Sequence, residues 1–500
     1  MKGILSGAEV IELLPSEVID KLPINEIHKI ELRSPIELLT PDRFDVMADM
    51  IYAQCHLLGT AQNWSQRIYH DCKTIMGENQ ADHFDVNSIS HSQKEFHDLL
   101  IRFKTGSIHK EHNYLPVNQN DVIIDSAHQF AASLLFDQSL TAIQFEHHPR
   151  PYDYQYFLEH GLKHDFADAM ALTFSRFCPN MSVVVVFPIA SGKDDQIHKI
   201  LCEYGRIAYK KEVAFTKIGQ YNLISLLYFN MHWIDPNGDI NYAVRHHVDH
   251  RFLDNNLVKF IFVIFNDTSK NLEAKTRLRN LFDLKNFPVH INDTHDETIW
   301  IAEHILTPNS IYFMNHAQPW FSKKVIRNLQ DFSQEIKRLG LNKDNFCLAG
   351  NAMLAAYGLR DAHKIDYLFF DDKETLDLPA GILCHDDELA LEEQSIGDLI
   401  FDPSNHFYFR GLKFVAPHLF SKIFAKQNAS KKNADLHLLK SLENESMNKT
   451  NIWRNFRFNL KITFVNIFHL NIGRLINLMP NFIRIRAGRI YRSLFGQDNE

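Results

Sequence analysis

Two runs of this chain leave no side open to water. Met181 to Phe187 reads MSVVVVF, and Val258 to Phe265 reads VKFIFVIF. A strand with one face in solvent alternates apolar and polar residues; a near-continuous apolar run needs cover on both faces. Both strands are therefore expected to be fully buried. Asp195 to Tyr204 reads as a helix, and Ile207 to Phe215, carrying Lys210 and Lys211, reads as another strand. Strand and helix in alternation predict an α/β layer around a parallel sheet. Ile311 to Asn315 reads as a further buried strand, and Gln318 to Leu339 as a long amphipathic helix. The span 151–338 is thus expected to be a central α/β domain.

Polar residues collect in that domain. Ala274 to Phe282 is a helical stretch presenting Lys275 and Arg279 four residues apart, and His290 and His295 flank a short strand and the start of the next helix. Loops at the carboxyl ends of strands in such sheets bind phosphorylated ligands, so these four are candidates for a phosphate or sugar-phosphate site. A purely structural account also exists. Asp293 or Thr294 can cap the helix that begins at His295, and Asp296 and Glu297 suit its dipole. Ser191-Gly192-Lys193 follows the MSVVVVF strand but lacks the rest of a phosphate-loop pattern, and reads as an ordinary loop.

The stretch with the most chemistry is Phe346 to Asp372, FCLAGNAMLAAYGLRDAHKIDYLFFDD. It reads as strand, glycine turn, helix, turn, strand. Asn351 is a suitable N-cap, and Gly350-Asn351 would expose helix N–H groups to a triphosphate. Asp366 on the second strand could hold the Mg²⁺ that bridges the phosphates. This arrangement resembles the nucleotidyltransferase fold, in which a glycine turn and helix precede a strand bearing Asp-x-Asp. The likeness continues through FRGLKF with Lys413, then Lys422, then the 431–439 run containing Asp435. The resemblance implies an α/β domain over 339–445, Asp366, Lys422 and Asp435 as catalytic groups, and Gly350, Asn351 and Lys413 around the nucleotide. One position departs from the pattern. Lys364 stands where the first aspartate is usual, and an ammonium there repels a cation. Asp371 or Asp372 is the candidate for the second metal-binding carboxylate.

Residues 1–150 read as a smaller α+β domain. Pro41 to Leu58 is expected as an amphipathic helix with Phe44, Met47, Met50, Ile51, Cys55 and Leu58 on one stripe, and Phe96 to Phe103 as a second helix. In Asp121 to Leu135, DVIIDSAHQFAASLL, Val122 to Ile124 reads as a strand and His128 to Leu135 as a helix. This motif resembles the ParB and sulfiredoxin fold, where Asp-Gly-x-His-Arg grips a phosphate. Asp125 and His128 match; Ser126 and Gln129 replace the glycine and arginine, which removes a bidentate fork. The alternative is a capped helix after a core strand, with His128 a satisfied turn residue.

Bulk properties frame these readings. At 500 residues the chain has room for about two to four domains. A net charge of −8 argues against a protein that coats nucleic acid. The six cysteines sit far apart without a Cys-x-x-Cys pair, the use expected of reduced thiols in a cytoplasmic protein. The first residues do not read as a secretory leader, and no stretch reaches the roughly 18 apolar residues of a membrane-spanning helix. The tail, 446–500, differs. From Lys449 to Arg492 it carries nine basic residues, no acidic one, and interleaved large apolar side chains. A basic, aromatic amphipathic helix suits an anionic membrane surface or a membrane-bound partner, although packing against the protein's own body is the alternative.

Taken whole, the chain resembles bacterial proteins encoded among capsule or lipopolysaccharide genes. That implies a nucleotidyl-, phosphoryl- or glycosyl-phosphate transferase using Mg²⁺ and a nucleoside triphosphate or nucleotide sugar. It would be cytoplasmic and peripheral at the inner face of the membrane, beside a glycan-assembly partner. Two other readings remain open. One is a nucleotide-binding scaffold or regulatory module that has lost catalysis; the other is a toxin-antitoxin type nucleotidyltransferase.

Overall fold

The chain folds as a mixed α/β protein, with three small sheets among its described residues. The computed structural model describes residues 2–77, 86–107, 113–147, 150–235, 240–253, 255–282, 284, 286–362, 364–370, 382–384, 395–420, 437–439, 453–465 and 467. In the first sheet, β1 (Lys2–Ser6), β2 (Ile27–Arg33), β3 (Tyr114–Asn118) and β4 (Leu140–Phe145) order as β1-β2-β4-β3. Helix Ala127–Phe136 is the crossover that lets β3 and β4 run parallel. The expected strand at Val122–Ile124 is a single bridge from Ile123 to Val117. The reason is local: the Asn118 side chain accepts from the Val122 N–H at 3.0 Å, folding the segment back on β3 as a tight turn.

Helix Asp45–Leu58 differs from its amphipathic reading. It is buried on nearly every side, and of its expected stripe only Leu58 is exposed, at 44%. Its polar residues are therefore paired internally. Arg43 donates from Nε and Nη2 to the two carboxylate oxygens of Asp45, at 2.9 and 2.7 Å, and Lys73 meets Asp49 at 2.8 Å. Buried charges are retained only with such partners.

In the second sheet, β5 (Met181–Val186), β6 (Gly205–Ala214), β7 (Leu257–Phe265) and β8 (Val289–Ile291) order as β6-β7-β5-β8. The two-sided cover demanded by the apolar runs is present. Val184, Val186, Ile261 and Val263 pack with residues of helices Asp194–Tyr204 and Asn271–Asn280. On the other face Val183, Val185, Phe260 and Phe262 join the main core, which includes Met170, Phe174 and Ile301. The parallel sheet expected from the sequence is not formed; every pairing is antiparallel. Alternation of strand and helix does send β5 and β6 in one direction. β7, arriving from later in the chain, then inserts between them in reverse.

Ile311–Asn315, expected as a strand, lies in helix Pro308–His316. Pro308 occupies its first turn, where no N–H is needed. Ser310, Phe313 and Met314 are buried at helical spacing. A five-residue apolar run cannot separate the two structures by periodicity. Helix Lys323–Arg338 starts later than expected because Pro319–Phe321 forms a separate 3-10 turn.

The third sheet contains β9 (Phe346–Ala349), β10 (Ile365–Phe369), β11 (Ile382–Cys384), β12 (His406–Phe409) and β13 (Leu412–Val415), ordered β11-β10-β9-β13-β12. The strand, turn, helix, strand reading of 346–370 holds: helix Gly350–Ala356 follows β9 directly and β10 returns antiparallel beside it. One hydrophobic core links all three sheets, from Leu38 through Phe174 and Phe262 to Phe414. In the tail, 453–465 is helical. Phe458 is buried edge-on against Tyr221, with ring centroids 5.4 Å apart.

Gly358 ends helix Gly350–Ala356 with φ +69°, and a Cβ there would lie 2.1 Å from the Gln318 carbonyl oxygen. Gly340 has a similar φ of +65° with open space around it. We predict that Gly358→Ala lowers unfolding free energy by more than about 2 kcal/mol, whereas Gly340→Ala costs about 1 kcal/mol from backbone strain alone. Denaturant unfolding of the two variants, read by circular dichroism, checks the difference.

Candidate functional site

The register of β9 and β10 sets Asp366 opposite Ala349, at the mouth of the Gly350 turn. Gly350 has φ +53°, and a Cβ there would meet Asp366 Oδ2 at 2.7 Å. Glycine is thus required both for the backbone angle and for the carboxylate's approach. That oxygen accepts from the Asn351 backbone N–H at 3.1 Å and from Asn351 Nδ2 at 2.8 Å. Arg360 in turn donates to Asn351 Oδ1. Asn351 is therefore not the N-cap expected from the sequence; Ala349 holds that position, and Asp366 caps the helix from the neighbouring strand. A carboxylate at a helix N-terminus satisfies the free N–H groups that a phosphate would otherwise use.

As a metal site this set is incomplete. Mg²⁺ takes about six oxygen ligands, usually one or two carboxylates with phosphates and water, and here one carboxylate is already engaged. Among the described residues no group of three or more His, Cys, Asp or Glu is arranged to hold a metal. Lys364 is exposed. Asp371, Asp372, Lys422 and Asp435 lie outside the described residues.

Lys413 is brought to the other end of β9. It aligns with Cys347, and its Nζ donates to the Asp344 carbonyl oxygen at 2.8 Å. A strand rises about 3.3 Å per residue, so that amine and the Gly350 turn stand roughly 10 Å or more apart. Burial pushes the Lys413 amine down to about 8, against the opposing pull of Asp344. Around it lies a charge network, buried at Glu303 and Tyr408 and part-exposed at Arg176 and Lys343, that the sequence did not announce. Arg176 Nη2 donates to Glu303 Oε1 at 3.3 Å and to the Tyr408 hydroxyl at 3.1 Å, while Lys343 comes within 3.7 Å of Glu303. Burial raises the Glu303 carboxyl; Lys343 and Arg176 offset part of that rise. The available signal was Glu303-His304 within an otherwise apolar helix stretch.

Of the four central candidates, three gather about β8. Lys275 pairs with Asp293 at 3.4 Å, Arg279 Nε donates to the Val289 carbonyl at 3.3 Å, and His290 packs edge-on to Tyr228. Burial, then the charges of Lys275, Arg251 and Arg279, holds His290 well below its ordinary range. Arg251, which the sequence reading did not single out, is fully buried beside them, over the rings of Phe187 and Phe287 and donating to the Tyr228 hydroxyl at 2.8 Å. His295 lies elsewhere, bonded through Nε2 to the Ser175 carbonyl at 2.7 Å. Thr294 caps its helix, as the structural account of this stretch has it.

Beside the first sheet Asp125 pairs with Lys21 at 3.2 Å. His128 stacks on Phe96 with ring centroids 4.2 Å apart, and its Nε2 shares a hydrogen bond with the Tyr69 hydroxyl at 3.0 Å. Burial keeps this ring neutral, well below the usual imidazole range. A neutral, stacked imidazole offers a phosphate little.

Compared with known protein families, curated sequences and solved structures, the chain finds no match.

Burial leaves His128, His290, His304 and His406 titrating below the ordinary value of 6.5, His304 at about 4. The unfolded chain takes up these protons first, so stability is intact above about pH 6.5 and falls as pH drops toward about 4. Each such ring steepens the loss by about 1.4 kcal/mol per pH unit. Urea unfolding at a series of pH values is expected to show this decline, and His304→Gln to reduce its slope by about one proton.

Proposed function

We propose that this chain is a catalytically degenerate scaffold of the nucleotide-binding type, recruited to an anionic membrane surface by its tail helix. One observation carries the first half: the Asp366 carboxylate itself closes the Gly350 turn, taking both Asn351 donors. A carboxylate so engaged is a helix cap. Lys364, two residues before it, supplies positive charge where a metal site needs negative. The resemblance of segments 346–372 and 409–414 to nucleotidyltransferases, and of the whole to surface-polysaccharide proteins, supplies the setting: lipid-linked glycan assembly at the membrane.

The membrane half rests on a helix with two faces. Phe458 and Ile462 pack inward, and Arg454 donates to the His316 carbonyl at 2.6 Å. On the opposite face Trp453, Phe456, Leu460, Phe464 and Ile467 are 63, 53, 57, 65 and 52% exposed. Their spacing of three and four residues makes one apolar stripe. Such a stripe, in a segment of nine basic residues and no acid, suits the interface of an anionic bilayer. Among the described residues no helix is long and apolar enough to cross a membrane.

A transferase reading keeps one point in its favour, since Asp366 does face the glycine turn rather than away from it. Incubation with Mg²⁺ and each nucleoside triphosphate separates the two. The scaffold reading expects no product from the native chain. It expects Asp366→Asn to cost about 1–3 kcal/mol of stability through the lost cap. Product formation that disappears in Asp366→Asn establishes the transferase instead.

For the tail, sedimentation with phosphatidylcholine vesicles containing phosphatidylserine is expected to capture the protein, and pure phosphatidylcholine far less. The double change Trp453→Ser and Phe464→Ser should weaken capture by at least about tenfold, given roughly 2 kcal/mol for each large side chain inserted. Equal binding to both vesicle types, or no effect of the double change, overturns this half.

A further inference from the structure

A cleft of about 450 Å³ opens between helices Lys217–Leu227, His295–Ile305 and Lys323–Arg338 and the hairpin turn that joins β12 to β13. None of Gly350, Asn351 and Asp366 lines it, so a ligand held here is independent of the role given to that turn. Its size is that of a small-molecule site.

The wall has a definite chemistry. Trp300 lies stacked on Phe229, with ring centroids 4.5 Å apart and planes at 19°, and Phe313, Trp320 and Phe409 add further ring surface. Flat aromatic surfaces favour a flat, ring-bearing ligand. Three buried polar atoms without a partner among the described residues belong to rings of residues in this one wall: Trp300 Nε1, His304 Nε2 and Trp320 Nε1. Buried polar atoms are rarely left unpaired. His304 Nδ1 is 2.7 Å from the Trp300 carbonyl oxygen, so the ring proton sits on Nδ1 and Nε2 carries a bare lone pair. The two indoles are N–H donors. A complement therefore needs both a donor and an acceptor on its edge. Asp235 and Arg410 are the charged residues of the lining, one of each sign, so the wall favours no net charge.

Arg410 supplies an independent sign of use. It has φ +51° in the two-residue turn Arg410-Gly411, where Gly411 has φ +71°. Paired left-handed residues at such a turn are normally Asn, Asp or Gly, and an arginine there costs about 1 kcal/mol or more. The residue held in that strained conformation lines this cleft.

We propose that this cleft binds a neutral, planar heteroaromatic molecule of nucleoside size, one whose ring edge carries both hydrogen-bond donors and acceptors. Aromatic surface holds the ring, His304 Nε2 accepts from it, and the Trp320 indole donates to it.

The test titrates the full chain with adenosine, guanosine, cytidine and uridine by calorimetry. At least one is expected to bind at a single site with a dissociation constant below about 1 mM, and its 5′-monophosphate no more tightly. Leu329 is buried in the cleft lining, and Leu329→Trp should fill the space and abolish binding. Should that variant fail to fold, Ser333→Phe fills the same wall from the same helix. His304→Phe, which keeps the ring and removes the lone pair, should weaken binding about tenfold. Asp366→Asn should leave it unchanged. The proposal is overturned by no binding of any nucleoside, by binding that survives the filling variant, or by a monophosphate that binds tenfold tighter than its nucleoside. Binding lost in Asp366→Asn but kept in Leu329→Trp overturns it too, and assigns the ligand to the Gly350 turn.

Discussion

The ion cluster of Arg176, Glu303 and Tyr408 is the join on which the rest of this molecule depends. Arg176 comes from helix His164–Phe177, Glu303 from helix His295–Ile305 and Tyr408 from β12, so three elements far apart in sequence meet at one guanidinium. Taking such charges out of water is costly, and the cost is recovered only when geometry and hydrogen bonds are close to complete. Lys343 and Asp344 complete the set just before β9, so the third sheet is anchored through its first strand to the two helices that carry Arg176 and Glu303. Trp300 lies one helical turn from Glu303 on the same helix. It lines three adjoining clefts, and the one that holds Arg176 and Glu303 measures about 810 Å³.

Asp366 illustrates how one side chain can serve either of two purposes. A carboxylate beside a glycine turn can share a cation with phosphates, or it can take the place of the phosphates on the helix N–H groups. The second arrangement satisfies donors that would otherwise be orphaned, and it leaves a helix of only seven residues stable without a ligand. On the proposed reading, Lys364 two residues before Asp366 and the engagement of Asp366 as a cap agree with each other. Both remove the need for a metal to hold the turn together.

The tail helix connects to this frame through aromatic contact. Phe458 touches Trp320, with centroids 5.9 Å apart, and Arg457 lies 4.0 Å over the Phe321 ring. Trp320 is also part of the aromatic cleft wall. The helix that carries the exposed stripe, through Phe458 on its inward face, and the proposed ligand cavity thus meet at one side chain, Trp320. Packed interiors pass small displacements between such neighbours instead of absorbing them.

Much of the local structure was legible in the sequence. The apolar runs at Met181 and Val258 required cover on both faces, and the Phe346 to Phe370 stretch dictated its own strand, turn, helix and strand, because these follow from side-chain polarity and glycine geometry over a few residues. The direction of β7, the helix at Pro308–His316 and the cap on Gly350 were settled only by contacts between distant segments. The same holds for Arg176 with Glu303 and for Arg251 among its rings, since an isolated Arg or Glu in a sequence reads as solvated until a fold buries it. Side-chain polarity along the chain determines what each segment must hide from water; which partner hides it is decided by packing across hundreds of residues, where no local pattern records the choice.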